Sequence, residues 1–319
     1  MGIDEIIDRK IMDKEEVLYK DIKACENFDT GHLWENTGIV YPFTTENISG
    51  YINKFNLEDR SLLTVGSSGD QVINAILYDC KDITLYDKVL QSRYYFYLKC
   101  AGLLCLTKDE FLAFFKYREF HVIKYGDNAD VFNKKTYNKI KDTLRLLDYE
   151  SYIYYDELFN TFTGLTIRKT LFETDEFRTD LIIKHNPYLK SELDYSEAKE
   201  KIKKVRPKFI YDNIFNISDQ NKYDNIWLSN IATWLNDEKQ IIKLVDKTEK
   251  CLNENGKLMI SYLYGKVKGI KYQSNWAPIY NLKRMHEILK KYNVRLEEFE
   301  GVNKRSYNKD KDNILVLKK

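Results

Sequence analysis

LLTVGSSGDQVINA, Leu62 to Ala75, sets a short apolar run against a glycine-bounded turn, and ITLYDK brings an acid, Asp87, about twenty residues after Gly66. Leu62 to Val65 has the length and composition of a buried strand, and Val72, Ile73 and Ile76 recur at helical spacing after the turn. The order is therefore strand, tight turn, helix. Gly66 and Gly69 lack a Cβ, so the backbone can turn sharply there and let a ligand approach, while the following helix aims its free N–H groups at the same place. Asp87 ends a second strand, Asp82 to Tyr86, and precedes a helix from Val89 to Cys105. An acid in that position of a doubly wound sheet binds ribose hydroxyls. Together these residues outline a crevice for a nucleoside cofactor.

A Gly-x-x-Gly turn alone is as often architecture as ligand site, and the pairing with Asp87 is what points to a nucleoside. Dinucleotide sites carry three glycines, and the third is absent here. A cofactor without a pyrophosphate fits better, and S-adenosylmethionine is the commonest such molecule on this fold.

The remaining chain follows the same α/β logic with two departures. Residues 3 to 25 have helical periodicity, and a glycine-punctuated stretch, GHLWENTGIVYPFTTENISGYI, leads to the first sheet strand with helix resuming over Thr45 to Ile52. Its Trp34-Glu35 pair reads equally as a core plug or as a lid over the cofactor. After the helix begun by the capping box Thr107-Lys-Asp-Glu110, α/β alternation is lost for about a hundred residues, too long for a passive connection. Helices over Lys134 to Leu147 and Ser196 to Lys204 make this an insertion expected to cap the carboxyl edge of the sheet. Its aromatic segments, SYIYYDELF and GLTIRKTLFETDEF, read as its own core or as walls of an acceptor pocket.

Strands then recur at Lys208 to Tyr211, Tyr223 to Leu228 and Lys257 to Tyr262, with helices at Asp237 to Leu252 and Leu282 to Tyr292. Val294 to Phe299 and Ile314 to Leu317 close the chain as a hairpin. The expected fold is α/β: a seven-stranded Rossmann sheet of the methyltransferase type, with an N-terminal helical region and a helical insertion between strands 2 and 3. The corresponding domains are a helical or lid region at 1–57, a cofactor-binding domain at 58–117 and 205–319, and the insertion at 118–204.

Composition narrows the partners. Lys+Arg 51 against Asp+Glu 49 leaves a formal charge of +2, so no global field recruits nucleic acid. Five cysteines without a C-x-x-C pair indicate reduced thiols and a cytoplasmic protein, with Cys100 and Cys105 expected in the core. His32, His121, His185 and His286 are scattered, so no metal site is expected. No apolar run approaches the length of a membrane span, which leaves peripheral membrane contact open.

Three pieces, LWENTGIVYPFTTENI, LTVGSSGDQVINAIL and DKVLQSRYYFYLKCAGLLCLTKDEFLAFF, together resemble the S-adenosylmethionine:diacylglycerol 3-amino-3-carboxypropyltransferases of betaine-lipid synthesis and their uncharacterised bacterial relatives. The shared elements are Trp34-Glu35, the turn Ser67-Ser68-Gly69-Asp70, Asp87, Gln91 and Leu98-Lys99, over about residues 31–117. The resemblance implies a cofactor, S-adenosylmethionine, with Trp34, Gly66 to Asp70 and Gln91 around it. Gly66 to Asp70 would cradle its methionine end and Asp87 its ribose.

Asp212-Asn213 falls where such folds place an acid or amide against the adenine amine, and Ser229-Asn230 where the reacting sulfonium is flanked; simple strand-end capping is the alternative for both pairs. The implied activity is transfer of the aminocarboxypropyl group to a small-molecule or lipid acceptor, with methyl transfer, or binding without turnover, as the competing readings. His32, Glu35 and Asn230 are the candidate catalytic groups. The insertion carries no shared acceptor motif.

Overall fold

The computed structural model describes residues 12–29, 40–116, 130–172, 179–235, 238–262, 282–292, 294–300 and 311–319. Its centre is a seven-stranded sheet with the order β3-β2-β1-β4-β5-β7-β6. The strands are β1 (Ser61–Val65), β2 (Asp82–Asp87), β3 (Lys208–Tyr211), β4 (Tyr223–Trp227), β5 (Leu252–Tyr262), β6 (Val294–Glu300) and β7 (Lys311–Lys318). The first five run parallel, and β7 lies antiparallel between β5 and β6. This is the methyltransferase-type Rossmann sheet that the strand count and the closing hairpin predict.

Alternation along each strand divides the core into two faces, as a period of two requires. Leu62, Ile83, Leu85, Trp227 and Ile314 face one side; Leu63, Tyr86, Ile226, Leu228 and Leu315 face the other. On the second face lie α11 (Glu238–Lys250) and α12 (Leu282–Leu289), anchored by Ile241, Leu244, Val245 and Leu289. The first face carries α3 (Asp70–Leu77), α4 (Leu90–Cys105) and α5 (Lys108–Phe115), preceded by α1 (Lys14–Asn27) and the single turn α2 (Ile48–Tyr51). Asp13 caps α1 by accepting the Glu16 N–H at 2.8 Å, and Thr107 and Glu110 close the expected capping box on α5.

The insertion contributes α6 (Lys134–Leu147), α7 (Tyr149–Thr161), α8 (Gly164–Leu171), α9 (Thr179–His185) and α10 (Glu192–Ile202). In its described part α6 and α7 pack on α4, α8 on α1 and α10 on α3, which thickens the first face, while α9 packs on α2 and Tyr188 reaches Asp70 at the turn after β1. The reason lies in its aromatic side chains: Tyr137, Tyr155, Phe159 and Phe172 are buried and stack among Phe114, Phe115, Phe132 and Tyr95. The aromatic residues described in these segments are core, apart from the half-buried Tyr152. Tyr154 is also buried, donating to the Asp21 carboxylate of α1 at 2.6 Å.

Two boundary expectations shift. β5 begins at Leu252, five residues before the apolar run at Lys257, because Asn255 takes a left-handed φ of 62° and Gly256 follows, hiding the strand in a turn-like sequence. Cys105, expected in the core, is exposed at the end of α4, whereas Cys25, Cys80, Cys100 and Cys251 are buried; all five are free thiols. No described helix is long and apolar enough to cross a membrane.

Candidate functional site

At the carboxyl edge of the sheet the chain leaves β1 toward β2 on one side, while β4 joins on the other. This is the topological switch point, where open α/β sheets bind ligands. A cleft opens there, bounded by Gly66 to Gly69 after β1, Ser229 and Asn230 after β4, Gln71 of α3, and Tyr41, Thr44, Thr45 and Glu46 from the segment before the sheet.

The turn is built with strain on both walls. Gly69 has φ +76°, and a Cβ there would come 2.9 Å from the Phe96 ring. Ser67 and Ser229 hold positive φ values of 38° and 54° without being glycine. Such backbone persists only where the surroundings over-determine it, and it concentrates at binding sites. Gly69→Ala is expected to cost about 2 kcal/mol or more, left-handed strain plus displacement of Phe96. A midpoint shift in denaturant equivalent to less than ~0.5 kcal/mol would show that the turn relaxes freely.

Asp87 fixes the near side of the turn. Its Oδ2 accepts the Ser67 N–H at 3.0 Å and its Oδ1 the Val89 N–H at 3.0 Å. A Cβ on Gly66 would lie 3.1 Å from Asp87 Oδ2, so the glycine is what lets the carboxylate approach. Burial pushes the Asp87 carboxyl above its usual value, against the stabilising N–H groups. The Ser92 hydroxyl of α4 also bears on the carboxylate, which leaves it room for one further donor. Asp212 lies one strand over, its N–H donating to the Asp87 carbonyl at 3.2 Å. Its Oδ1 accepts the Asn213 N–H at 2.6 Å and the Asn216 amide at 2.8 Å, while Asn213 caps the short helix that follows.

Two residues expected around the cofactor have other partners. Asp70 is fully buried and its four acceptor positions are taken: Lys99 Nζ (2.8 Å) and Tyr188 OH (2.9 Å) on Oδ1, and the Thr44 N–H (2.6 Å) and Ser68 Oγ (2.9 Å) on Oδ2. Lys99, equally buried, spends its three protons on Asp70, the Pro42 carbonyl (2.7 Å) and the Ser68 carbonyl (2.8 Å). Asp70 therefore shapes the turn and has no capacity left for a ligand. Gln91 is turned toward α1, where its amide donates to Asp21 at 2.9 Å, and it does not line the cleft. His32, Trp34 and Glu35 lie outside the described residues.

One side chain the sequence did not single out dominates the opposite wall. Glu46 is 3 % exposed and lines the cleft. Its Oε2 accepts from Ser261 Oγ (2.9 Å), Gln71 Nε2 (3.0 Å) and Tyr51 OH (3.2 Å), and its Oε1 from Ser229 Oγ. Thr64 of β1 donates to the Gln71 carbonyl oxygen at 2.6 Å, which turns the amide nitrogen of Gln71 toward Glu46. Burial raises the Glu46 carboxyl above its ordinary value, with the four donors opposing. In sequence it is one acid among Thr-Thr-Glu-Asn, with nothing local to mark its burial. Among the described residues no group of three or more His, Cys, Asp or Glu side chains is arranged to hold a metal.

No family model and no curated protein matches the chain. Solved structures with partial similarity include the N-methyltransferase NodS from Bradyrhizobium japonicum WM9 with S-adenosylhomocysteine, at 15% identity over 39% of this chain and 61% of that one, with a TM-score of 0.29. The magnesium protoporphyrin IX methyltransferase ChlM from Synechocystis PCC 6803 with the same ligand gives 14% identity over 40% and 57%, at a TM-score of 0.28. PigF, also with that ligand, gives 10% identity over 100% and 65%, at 0.41. The chain spans less than two thirds of the length of each of these three.

Proposed function

We propose that this protein binds S-adenosylmethionine in the switch-point cleft and transfers a group from its sulfonium to a small-molecule or lipid acceptor, the 3-amino-3-carboxypropyl group being the one implied by the family resemblance. The observation that carries the reading is the cleft between the Gly66–Gly69 turn and Ser229-Asn230, with Asp87 beside it on β2. A nucleoside laid along this edge from β3 to β4 would meet Asp212 at the base, Asp87 at the ribose, and the turn and Ser229 at the methionine end. The donor set fits: carboxylates stand where hydroxyl and amino groups need acceptors, and the glycine positions leave the backbone room for close approach.

The resemblance gains support from the way its three pieces meet. Pro42 and Thr44 from the segment before the sheet, Ser68 and Asp70 from the turn, and Lys99 from α4 belong to one buried network around a single ion pair. Of the shared residues, Ser68, Asp70 and Lys99 thus act as one unit that shapes the turn.

The cofactor supplies a pre-activated leaving group with three electrophilic carbons. What the protein must add is position: a nucleophile held in line at about 3 to 3.5 Å. The polar cleft wall of Ser229 and Asn230 is the place from which this chain would orient the acceptor.

The decisive measurement is mass spectrometry of the nucleoside released when the protein, S-adenosylmethionine and a cell extract are incubated together. Methylthioadenosine above a protein-free control is the expected product, since attack on the γ-carbon breaks the sulfur–γ-carbon bond. S-adenosylhomocysteine instead would assign methyl transfer and overturn the aminocarboxypropyl reading while leaving the cleft in place.

A further inference from the structure

Glu46 presents an imbalance of charge at the cleft. A buried carboxylate is costly unless a cation or a full set of donors compensates it. Its four partners, Ser229, Ser261, Gln71 and Tyr51, are all neutral, and among the described residues no lysine, arginine or histidine forms an ion pair with it. Asp70, on the neighbouring first turn of α3, is by contrast neutralised by Lys99. The donors are also unevenly placed: three converge on Oε2, whereas Oε1 takes Ser229 alone. Four donors match the usual capacity of a carboxylate, but three of them crowd onto Oε2, so Oε1, with Ser229 alone, is the oxygen with room for a further donor, beside the cleft-lining Ser229.

We propose that Glu46 is the counter-ion of the α-ammonium group at the amino-acid end of the cofactor, completing a binding subsite made with Ser229. The inference rests on the reading of the cleft as an S-adenosylmethionine site. Of the cofactor's two positive centres only the ammonium has N–H bonds to give to Oε1; the sulfonium has none. An amine acceptor is a poorer occupant, because it must be neutral to attack carbon, and a carboxylate that stabilises its ammonium form would oppose the reaction. The raised affinity of Glu46 for a proton is relieved in the same way, since a bound cation favours the charged carboxylate.

The subsite also has built-in rigidity. Ser229 is held in its left-handed conformation with its carbonyl accepting the Ser261 N–H at 2.8 Å, so both serine hydroxyls that orient Glu46 come from adjacent strand ends. Gln71 is fixed by Thr64. Little reorganisation is needed when the ammonium arrives, and that preorganisation favours affinity.

The test is a calorimetric comparison of S-adenosylhomocysteine with its desamino analogue, which lacks only the ammonium, on the full chain and on Glu46→Gln. The wild-type protein is expected to prefer S-adenosylhomocysteine by about tenfold or more, the worth of a charge-assisted hydrogen bond in a buried site. Glu46→Gln should erase that preference, leaving the desamino analogue bound as before. A preference unchanged in Glu46→Gln overturns the assignment, and a preference absent from the wild type overturns it whether or not the variant folds; Glu46→Asp, which keeps the charge, should keep part of the preference. Failure of the wild type to bind either nucleoside would instead sink the cofactor reading itself.

Discussion

Lys99→Ala should be among the most damaging single substitutions in the protein, lowering stability by about 3–5 kcal/mol, because it strands a fully buried carboxylate. Lys99 and Asp70 both have no exposed side-chain surface, and their ion pair is 2.8 Å long. The ammonium also lies 4.4 Å from the centre of the buried Phe43 ring, away from solvent. Without it, Asp70 keeps Tyr188, Ser68 and the Thr44 N–H as neutral donors, and the Pro42 and Ser68 carbonyls lose a partner. Removing the charge on both sides is a different matter: Asp70→Asn with Lys99→Met should recover a large part of the loss, since the desolvation cost disappears with the pair. Denaturant midpoints at constant m-value read the difference. A loss of under ~1 kcal/mol for Lys99→Ala, the range of exposed pairs, would show that the site hydrates and that the network is not what holds the turn.

That network shows where sequence reading stops. The β1–turn–α3–β2 unit was legible because its signals are local: an apolar run, two glycines, helical spacing and an acid about twenty residues on. The insertion was legible as helices, since Lys134 to Leu147 has the periodicity of an amphipathic helix and forms one. Its placement was not, because packing on α4 depends on which aromatic faces meet and not on the spacing of any one of them. Lys99 stood out among aromatics in α4, but only the fold brings it to Asp70 and to Pro42, far away in sequence. Glu46 was invisible for the same reason. Its four donors come from α2, α3 and the ends of β4 and β5, and no window of sequence contains them. Asp87 could be placed at a strand end from sequence because the apolar run before it marks the strand; a buried acid in an irregular segment has no such marker.

Asp87→Ala should weaken binding of S-adenosylhomocysteine by more than about tenfold, the worth of a buried hydrogen bond to a charged group. The carboxylate has two tasks in the proposed complex. It holds the Ser67 and Val89 N–H groups, each at 3.0 Å, and so keeps the turn closed against α4. It also offers its remaining acceptor position to a ribose hydroxyl. The tasks separate in part in Asp87→Asn, where the amide oxygen can still accept the Ser67 N–H, while the NH2 replaces the oxygen that took the Val89 N–H and one acceptor toward the sugar is lost. A melting temperature lowered less than in Asp87→Ala, together with affinity reduced several-fold, is the result expected of that variant. In Asp87→Ala both functions go, so binding and melting temperature should fall together. Unchanged affinity of either variant in a calorimetric titration would remove Asp87 from the cofactor site and leave it as a brace for the turn. The comparison is informative because of Gly66: its missing Cβ lets the carboxylate approach the turn, with Oδ2 only 3.1 Å from where that atom would stand. A side chain at 66 would press on Asp87 and Ser92 and push the acid back by a few tenths of an ångström, so glycine leaves it closest to the turn for either task.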